Sequence, residues 1–190
     1  MKRPKICASL INNDIRAVKD VASLVDLYEV RIDLIGAGWE ELVPHLKKPW
    51  IACNRKMEEG GNWRGGEAAR VNELVRAAER GAHIIDIELS TESIREIIAG
   101  LKGRAECLVS FHDMAGTPAL SSLQDIVRKQ RDAGADICKV VTTAQKFADN
   151  LTVLQLIAEF PGVRVVAFAM GPFGAASRVL CPLAGGDFVY

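Results

Sequence analysis

The strongest constraint in this sequence is an alternation. Short runs rich in β-branched and apolar residues recur along its 190 residues, separated by stretches with helical spacing. The runs are Lys5–Leu10, Leu27–Leu34, Pro49–Arg55, Ile84–Ser90, Cys107–Asp113, Ile137–Ala144, Val163–Met170 and Asp187–Tyr190. Between them, Ile15, Val18, Ala22 and Val25 fall on one helix face, as do Val71, Leu74, Val75 and Ala78, and Ile94, Ile97, Ile98 and Leu101. Strand–helix alternation predicts a parallel sheet with helices outside it. Eight strands predict a closed (β/α)8 TIM barrel, small for a type that usually takes about 250 residues. An open doubly wound sheet is the competing architecture. Ser121-x-x-Gln124 predicts a capping box for the helix that follows. Gly81 and Gly134 predict helix ends, and residues 79–86 and 131–138 read as one helix–glycine–strand corner used twice. No linker interrupts the pattern, so residues 1–190 are expected to form a single barrel domain.

Composition narrows the class of function. With 49% hydrophobic and 25% charged residues, a packed core is expected rather than disorder. Lys plus Arg and Asp plus Glu balance at 24 each, without the basic excess of a nucleic-acid binder. No apolar run approaches the roughly 20 residues that cross a bilayer. The opening Met1-Lys2-Arg3-Pro4 leads into a strand-like run without the apolar stretch of a secretory signal. Five cysteines are scattered without C-x-x-C, four of them in strand-like runs, as expected for reduced, buried thiols in a cytoplasmic protein. His45, His83 and His112 lie in three segments without ligand spacing, so no metal is expected. A magnesium site on Glu29, Asp86 and Glu88 is the weaker alternative.

The strands carry the functional signal. In a parallel strand buried on both faces, both faces should be apolar. Here Glu29, Arg31 and Asp33 share a face opposite Tyr28, Val30 and Ile32. Asp86 and Glu88 share one opposite Ile85 and Ile87; Ser110 and His112 lie opposite Val109 and Phe111. Lys139 lies opposite Cys138 and Val140, and Arg55 shares a face with Cys53 and Ile51. Each unpaired buried ion costs several kcal/mol, by order of magnitude. A self-satisfied ion-pair network could explain one such strand. Five together point to an active site, which in barrels sits at the C-terminal ends of strands.

Individual residues suggest roles. Lys139 is either a lysine whose stem packs while its ammonium reaches water, or a Schiff-base nucleophile. The second role needs a lowered pKa, from desolvation or from Arg31, Arg55 and Arg178. His112 is a candidate general acid–base, with Glu59 to orient it and Asp113 structural. Residues 171–178 follow the seventh strand, where barrels bind anions, and Arg178 could grip a carboxylate. The glycine-rich stretch 60–66 lacks G-K-[ST] and reads as a connection over the barrel mouth rather than a nucleotide cradle.

Taken together, these motifs resemble type I 3-dehydroquinate dehydratases along nearly the whole chain. Glu29-Val30-Arg31-Ile32-Asp33 is similar to the family's E-x-R-x-D strand, and Arg55 through Gly61 to its R-x-x-x-E-G-G. Asp86-Ile87-Glu88-Leu89 with Leu108 through Asp113 is similar to the signature around its histidine. Lys139 falls at its Schiff-base lysine, and Met170 through Arg178 follows its M-G-x-x-G-x-x-S-R. The resemblance implies that 3-dehydroquinate loses water to give 3-dehydroshikimate, a step of the shikimate pathway to aromatic amino acids. It implies Lys139, His112 and Glu59 as the catalytic set, with Ser9, Glu29, Arg31, Arg55, Met170 and Arg178 binding substrate. No cofactor is implied, and a small-molecule substrate, a homodimer and a cytoplasmic location are. Two departures stand out. Phe111 occupies a place more often polar in the family, and beyond Tyr190 the family continues with a loop bearing a serine and a glutamine, then a final helix. Two other readings stay open: a class I aldolase on the same barrel, and a non-catalytic small-molecule-binding barrel.

Overall fold

The computed structural model describes residues 3–190. Seven strands follow one another around the sheet in chain order: β1 (Cys7–Leu10), β2 (Leu27–Arg31), β3 (Trp50–Cys53), β4 (Ile84–Glu88), β5 (Glu106–His112), β6 (Ile137–Thr143) and β7 (Val165–Met170). Every adjacent pair is parallel. This sequential order rules out the doubly wound alternative, in which the strand order reverses.

The eighth run makes one parallel bridge, Ile6 to Val189, rather than a full strand. A turn over residues 181–185 consumes the chain first. Directly after it, Gly186 lies so close to Cys181 that a Cβ would meet the thiol sulfur at 2.3 Å. The remaining four residues still close the ring. Asp187 N–H donates to Val165 O at 2.9 Å, Cys7 N–H to Val189 O at 2.7 Å and Val189 N–H to Lys5 O at 3.0 Å.

Around the sheet lie helices α1 (Ile15–Val21), α2 (Ile32–Ile35), α3 (Glu67–Glu79), α4 (Ile94–Leu101), α5 (Leu120–Ala133), α6 (Asp149–Ala158) and α7 (Ala175–Leu180). Gly134 caps α5 with φ 102°, and Gly81 follows α3 with φ 91°, so the two glycine corners behave alike. The expected capping box does not form. Helix α5 opens at Leu120 with Ala119 as its cap, which turns Leu123 and Val127 onto the sheet and leaves Ser121 inside the first turn.

Strand β2 ends at Arg31, short of the expected Leu34, and the chain curls into α2. The curl brings the Asp33 carboxylate back onto the Arg31 guanidinium, at 2.9 and 2.7 Å, and onto Asn62 N–H at 3.1 Å. Asp33 therefore leaves the inward face that strand spacing assigned to it.

Two apolar clusters fill the space between sheet and helices, one under α1 to α4 and one under α5 to α7. A third lies inside the barrel: Cys7, Leu27, Ile51, Ile84, Leu108, Ile137, Val166 and Phe188, with Phe168 and Val141 above them. Apolar burial of this kind contributes about 25 cal/mol per Å2.

Candidate active site

Register decides which polar side chains meet. Ser9 pairs with Glu29 across β1 and β2, and Glu88, Ser110 and Lys139 lie level across β4, β5 and β6. Inside the closed ring these groups form one connected network. Lys139 Nζ donates to Asp86 Oδ2 at 3.0 Å, Glu29 Oε1 at 3.4 Å and the Tyr190 hydroxyl at 2.9 Å. Arg55 donates to Asp86 Oδ2 at 2.7 Å and to Ser110 Oγ at 2.6 Å, and lies 3.2 Å from Glu88 Oε1. Ser9 Oγ donates to Glu29 Oε2 at 2.7 Å.

The second half of the site is built by the loop after β3. A short 3-10 turn, Met57–Glu59, lifts Glu59 over the end of β5. Gly61 makes this possible: a Cβ there would sit 2.0 Å from the Arg55 carbonyl oxygen. Glu59 Oε2 then accepts from both the backbone N–H and the Nδ1 of His112, at 2.9 and 3.0 Å, while Oε1 accepts from Ser90 Oγ at 2.9 Å. A carboxylate only accepts, so Nδ1 carries the proton and Nε2 keeps its lone pair.

The electrostatics divide the roles. Burial pushes His112 well below the usual imidazole range, and the cations Arg55 and Lys139 push the same way, so it is a neutral base at neutral pH. Burial raises Glu59, with Arg55 pulling against it. Asp86 is depressed: burial alone would raise it, but Arg55 and Lys139 outweigh that.

Lys139 departs from expectation. Burial and Arg55 lower its pKa, as anticipated, but Asp86 and Glu29 more than reverse this and hold it raised. Of the cations counted along the sequence Arg55 acts on it, yet the two carboxylates contact the ammonium directly. Without substrate, Lys139 is an ammonium.

All nine residues assigned from the sequence line one cavity of about 170 Å3: Ser9, Glu29, Arg31, Arg55, Glu59, His112, Lys139, Met170 and Arg178. A larger cavity of about 1010 Å3 opens at the other end of the barrel, beside Lys5, Ile84, Glu106 and Phe188, and touches none of the nine. Size does not decide between them; the coupled ionisable groups do.

Arg178 is set by a buried clamp. Ser177 Oγ accepts from Ala169 N–H and donates to Gly174 O, and the Ser177 backbone N–H donates to Asn150 Oδ1, which locks α7 onto β7. That N–H is therefore engaged within the protein, and the short α7 offers the cavity a side chain rather than a helix terminus. The guanidinium lies 4.8 Å from the Phe168 ring centroid and, among the described residues, has no carboxylate partner. Arg31 by contrast is already clamped by Asp33.

Strand reasoning missed three contributors. Tyr190 and Phe168 line the cavity. Arg70 is fully buried on α3 and reaches Glu88, Glu67, Thr91 Oγ1 and the Asn54 carbonyl, so it holds the carboxylate that backs Arg55. A signal for Arg70 existed: it shares the buried helix face of Leu74, Ala77 and Ala78, where an arginine must find partners. The carboxylates Glu29 and Asp86 cluster with Cys53 within reach of one ion, but Lys139 supplies the cation there.

Comparison with known proteins identifies the family. The family model described as type I 3-dehydroquinase matches residues 6–190. A 3-dehydroquinate dehydratase of Dehalococcoides mccartyi is 40% identical over 190 residues, covering 100% of this chain and 86% of that one. A crystal structure of 3-dehydroquinate dehydratase from Geobacillus kaustophilus superposes with a TM-score of 0.87 at 26% identity, covering 99% of this chain and 82% of that one. The type I 3-dehydroquinate dehydratase of Clostridium difficile, solved with covalently modified comenic acid, shares the fold at a TM-score of 0.90 and 23% identity, over 100% and 84% of the two chains. The chain belongs to the type I 3-dehydroquinase family.

Proposed function

We propose that this chain, acting as one barrel domain, removes water from 3-dehydroquinate to give 3-dehydroshikimate through an imine on Lys139. The observation that carries the reading is the meeting, in one small cavity, of a buried lysine, a neutral histidine oriented by a carboxylate, and an arginine without a carboxylate partner. The family and the relatives named for this reaction support the same conclusion.

Each residue has a task in that chemistry. Lys139 gives up a proton and its amine adds to the ketone; loss of water leaves a protonated imine. The positive nitrogen draws electrons from the adjacent carbon and acidifies its C–H bond. His112 Nε2 takes that proton, and the C–H electron pair moves toward the nitrogen. As the pair returns, the neighbouring C–O bond breaks and His112 hands its proton to the departing hydroxyl. Water then hydrolyses the product imine and restores the lysine. Glu59 keeps the imidazole in the tautomer that presents Nε2. Arg178 takes the substrate carboxylate bidentately. Ser9, Glu29, Arg31 and Arg55 face the ring hydroxyls, and Met170 packs on the carbon skeleton. Asp86 and Glu29, which hold the ammonium, are placed to stabilise the iminium that replaces it.

The setting follows the same logic. The five cysteines are free and buried, which supports a reducing cytoplasm. No helix among the described residues is long and apolar enough to cross a membrane. A homodimer is supported by exposed apolar side chains around α6 and α7, including Phe147, Leu151, Val179 and Leu183. Sedimentation equilibrium checks that assembly.

The test of the activity is borohydride reduction in the presence of 3-dehydroquinate, read by mass spectrometry of peptides. The expected result is one covalent adduct on Lys139 with loss of activity. An adduct on another lysine, or no adduct in a turning-over enzyme, removes the imine from the mechanism.

A further inference from the structure

We infer that Tyr190 is a positioning residue for the reactive amine, its hydroxyl holding Lys139 Nζ in the ammonium state. The inference rests on the imine reading given above.

An ammonium has three N–H donors, and Lys139 has three acceptors. Two are the carboxylates of Asp86 and Glu29; the third and shortest contact, 2.9 Å, is the Tyr190 hydroxyl. The carboxylates are shared with Arg55, Ser110 and Ser9. The phenol is neutral: burial, then the nearby Glu29 charge, pushes it well above its ordinary range. It directs Nζ without adding negative charge.

Nζ lies 4.4 Å from the Tyr190 ring centroid and 2.9 Å from its hydroxyl, so it sits beyond the oxygen at the ring edge rather than over the ring face. A protonated imine keeps its positive charge but only one N–H, so at most one of the three hydrogen bonds can survive condensation. The hydroxyl therefore holds the ammonium that precedes condensation, and the ring that carries it is well fixed. Phe188 meets it edge-on at 5.4 Å and Phe168 lies 5.9 Å away, while the Val189 carbonyl accepts from Cys7 N–H of β1 and its N–H donates to Lys5 O just before that strand.

Other charged or titratable groups also face this nitrogen: Cys7 from β1, Glu29 from β2, Cys53 and Arg55 from β3 and its end, Asp86 from β4 and His112 from β5. The test must therefore isolate Tyr190. In Tyr190→Phe the ring stays and the acceptor goes. The ammonium loses one support, so more of Lys139 is free amine at neutral pH. Trace acetic anhydride added to the free enzyme at pH 7, with the exposed Lys102 as internal reference, should label Lys139 about fivefold faster than in the parent. Turnover of 3-dehydroquinate should change less than the labelling. A merely structural tyrosine would not make the amine more reactive when the ring that packs on Phe168 and Phe188 is kept. Unchanged labelling in Tyr190→Phe overturns the role of the hydroxyl. Failure of the imine reading is seen separately, as absence of borohydride trapping in the parent enzyme whatever the labelling shows.

Discussion

The inside of this barrel has a floor and a mouth, made by the same strand faces two residues apart. The floor is Cys7, Leu27, Ile51, Ile84, Leu108, Ile137, Val166 and Phe188. Two residues further along each segment stand Ser9, Glu29, Cys53, Asp86, Ser110, Lys139, Phe168 and Tyr190. Backbone geometry is common to both layers; only the side chains change. The floor closes the ring and keeps water from beneath the charges. The mouth then holds its ions in a low-dielectric setting, where each interaction is stronger than in water. Stability and chemistry are thus stacked on one another rather than spread over different elements.

Substitutions in the two layers should separate these functions. The largest effect belongs to the mouth: Lys139→Ala should have no detectable turnover and no borohydride-trapped adduct. Residual turnover through another amine would show that the mouth is less specific than drawn. Next, His112→Ala should still form the trapped adduct but turn over about 10²–10⁴-fold more slowly. Near-normal kcat in that variant would take His112 out of the proton transfers. In the floor, Leu108→Ala should cost about 2–5 kcal/mol of unfolding free energy, measured in urea, with kcat nearly unchanged. A large loss of kcat in a still-folded Leu108→Ala protein would mean that the two layers are not separable.

The pH dependence sharpens the same division. The folded pKa of His112 lies below its unfolded value, so unfolded chains bind this proton first as pH falls. Its contribution to stability is complete above the unfolded value of about 6.5 and is lost below it, by at most about 1.4 kcal/mol per pH unit. Glu59, raised by burial, takes up its proton earlier than in the unfolded chain and offsets part of that loss at lower pH. Urea unfolding at pH 7.5 and 5.5 should show a shallower dependence in His112→Gln than in the parent; equal slopes would contradict a neutral, buried His112. For activity, kcat/KM should keep rising above neutral pH, because Lys139 must first lose a proton its carboxylates hold. The smallest effect is expected from EDTA. Lys139 already neutralises Glu29 and Asp86, so chelation should leave turnover unchanged. Loss of activity restored by a divalent ion would assign the carboxylate cluster to a metal.

Much of the fold and of the site is legible in the amino-acid sequence, and particular residues show why. Glu29, Asp86, Ser110, His112 and Lys139 betray themselves because a parallel strand buried on both faces has no ordinary use for them. Arg178 and Glu59 lie off the strands; their motifs, not their periodicity, single them out. Asp33 shows the limit of periodicity. It keeps strand spacing from Glu29 and Arg31, yet the chain curls after Arg31 and the carboxylate turns back onto the guanidinium.

The sequence by itself determined the alternation, hence the parallel barrel, and the inward polar residues, hence the place of the site. Those follow from local rules that read along the chain: period two in strands, helical spacing between them, glycine at the corners. Only the tertiary structure decided the charge on Lys139. Its pKa reflects burial and partners brought together by the fold, chiefly Asp86 53 residues away and Glu29 110 residues away. Coulomb energies depend on separations of a few ångströms across the barrel, and no spacing along the chain encodes those distances.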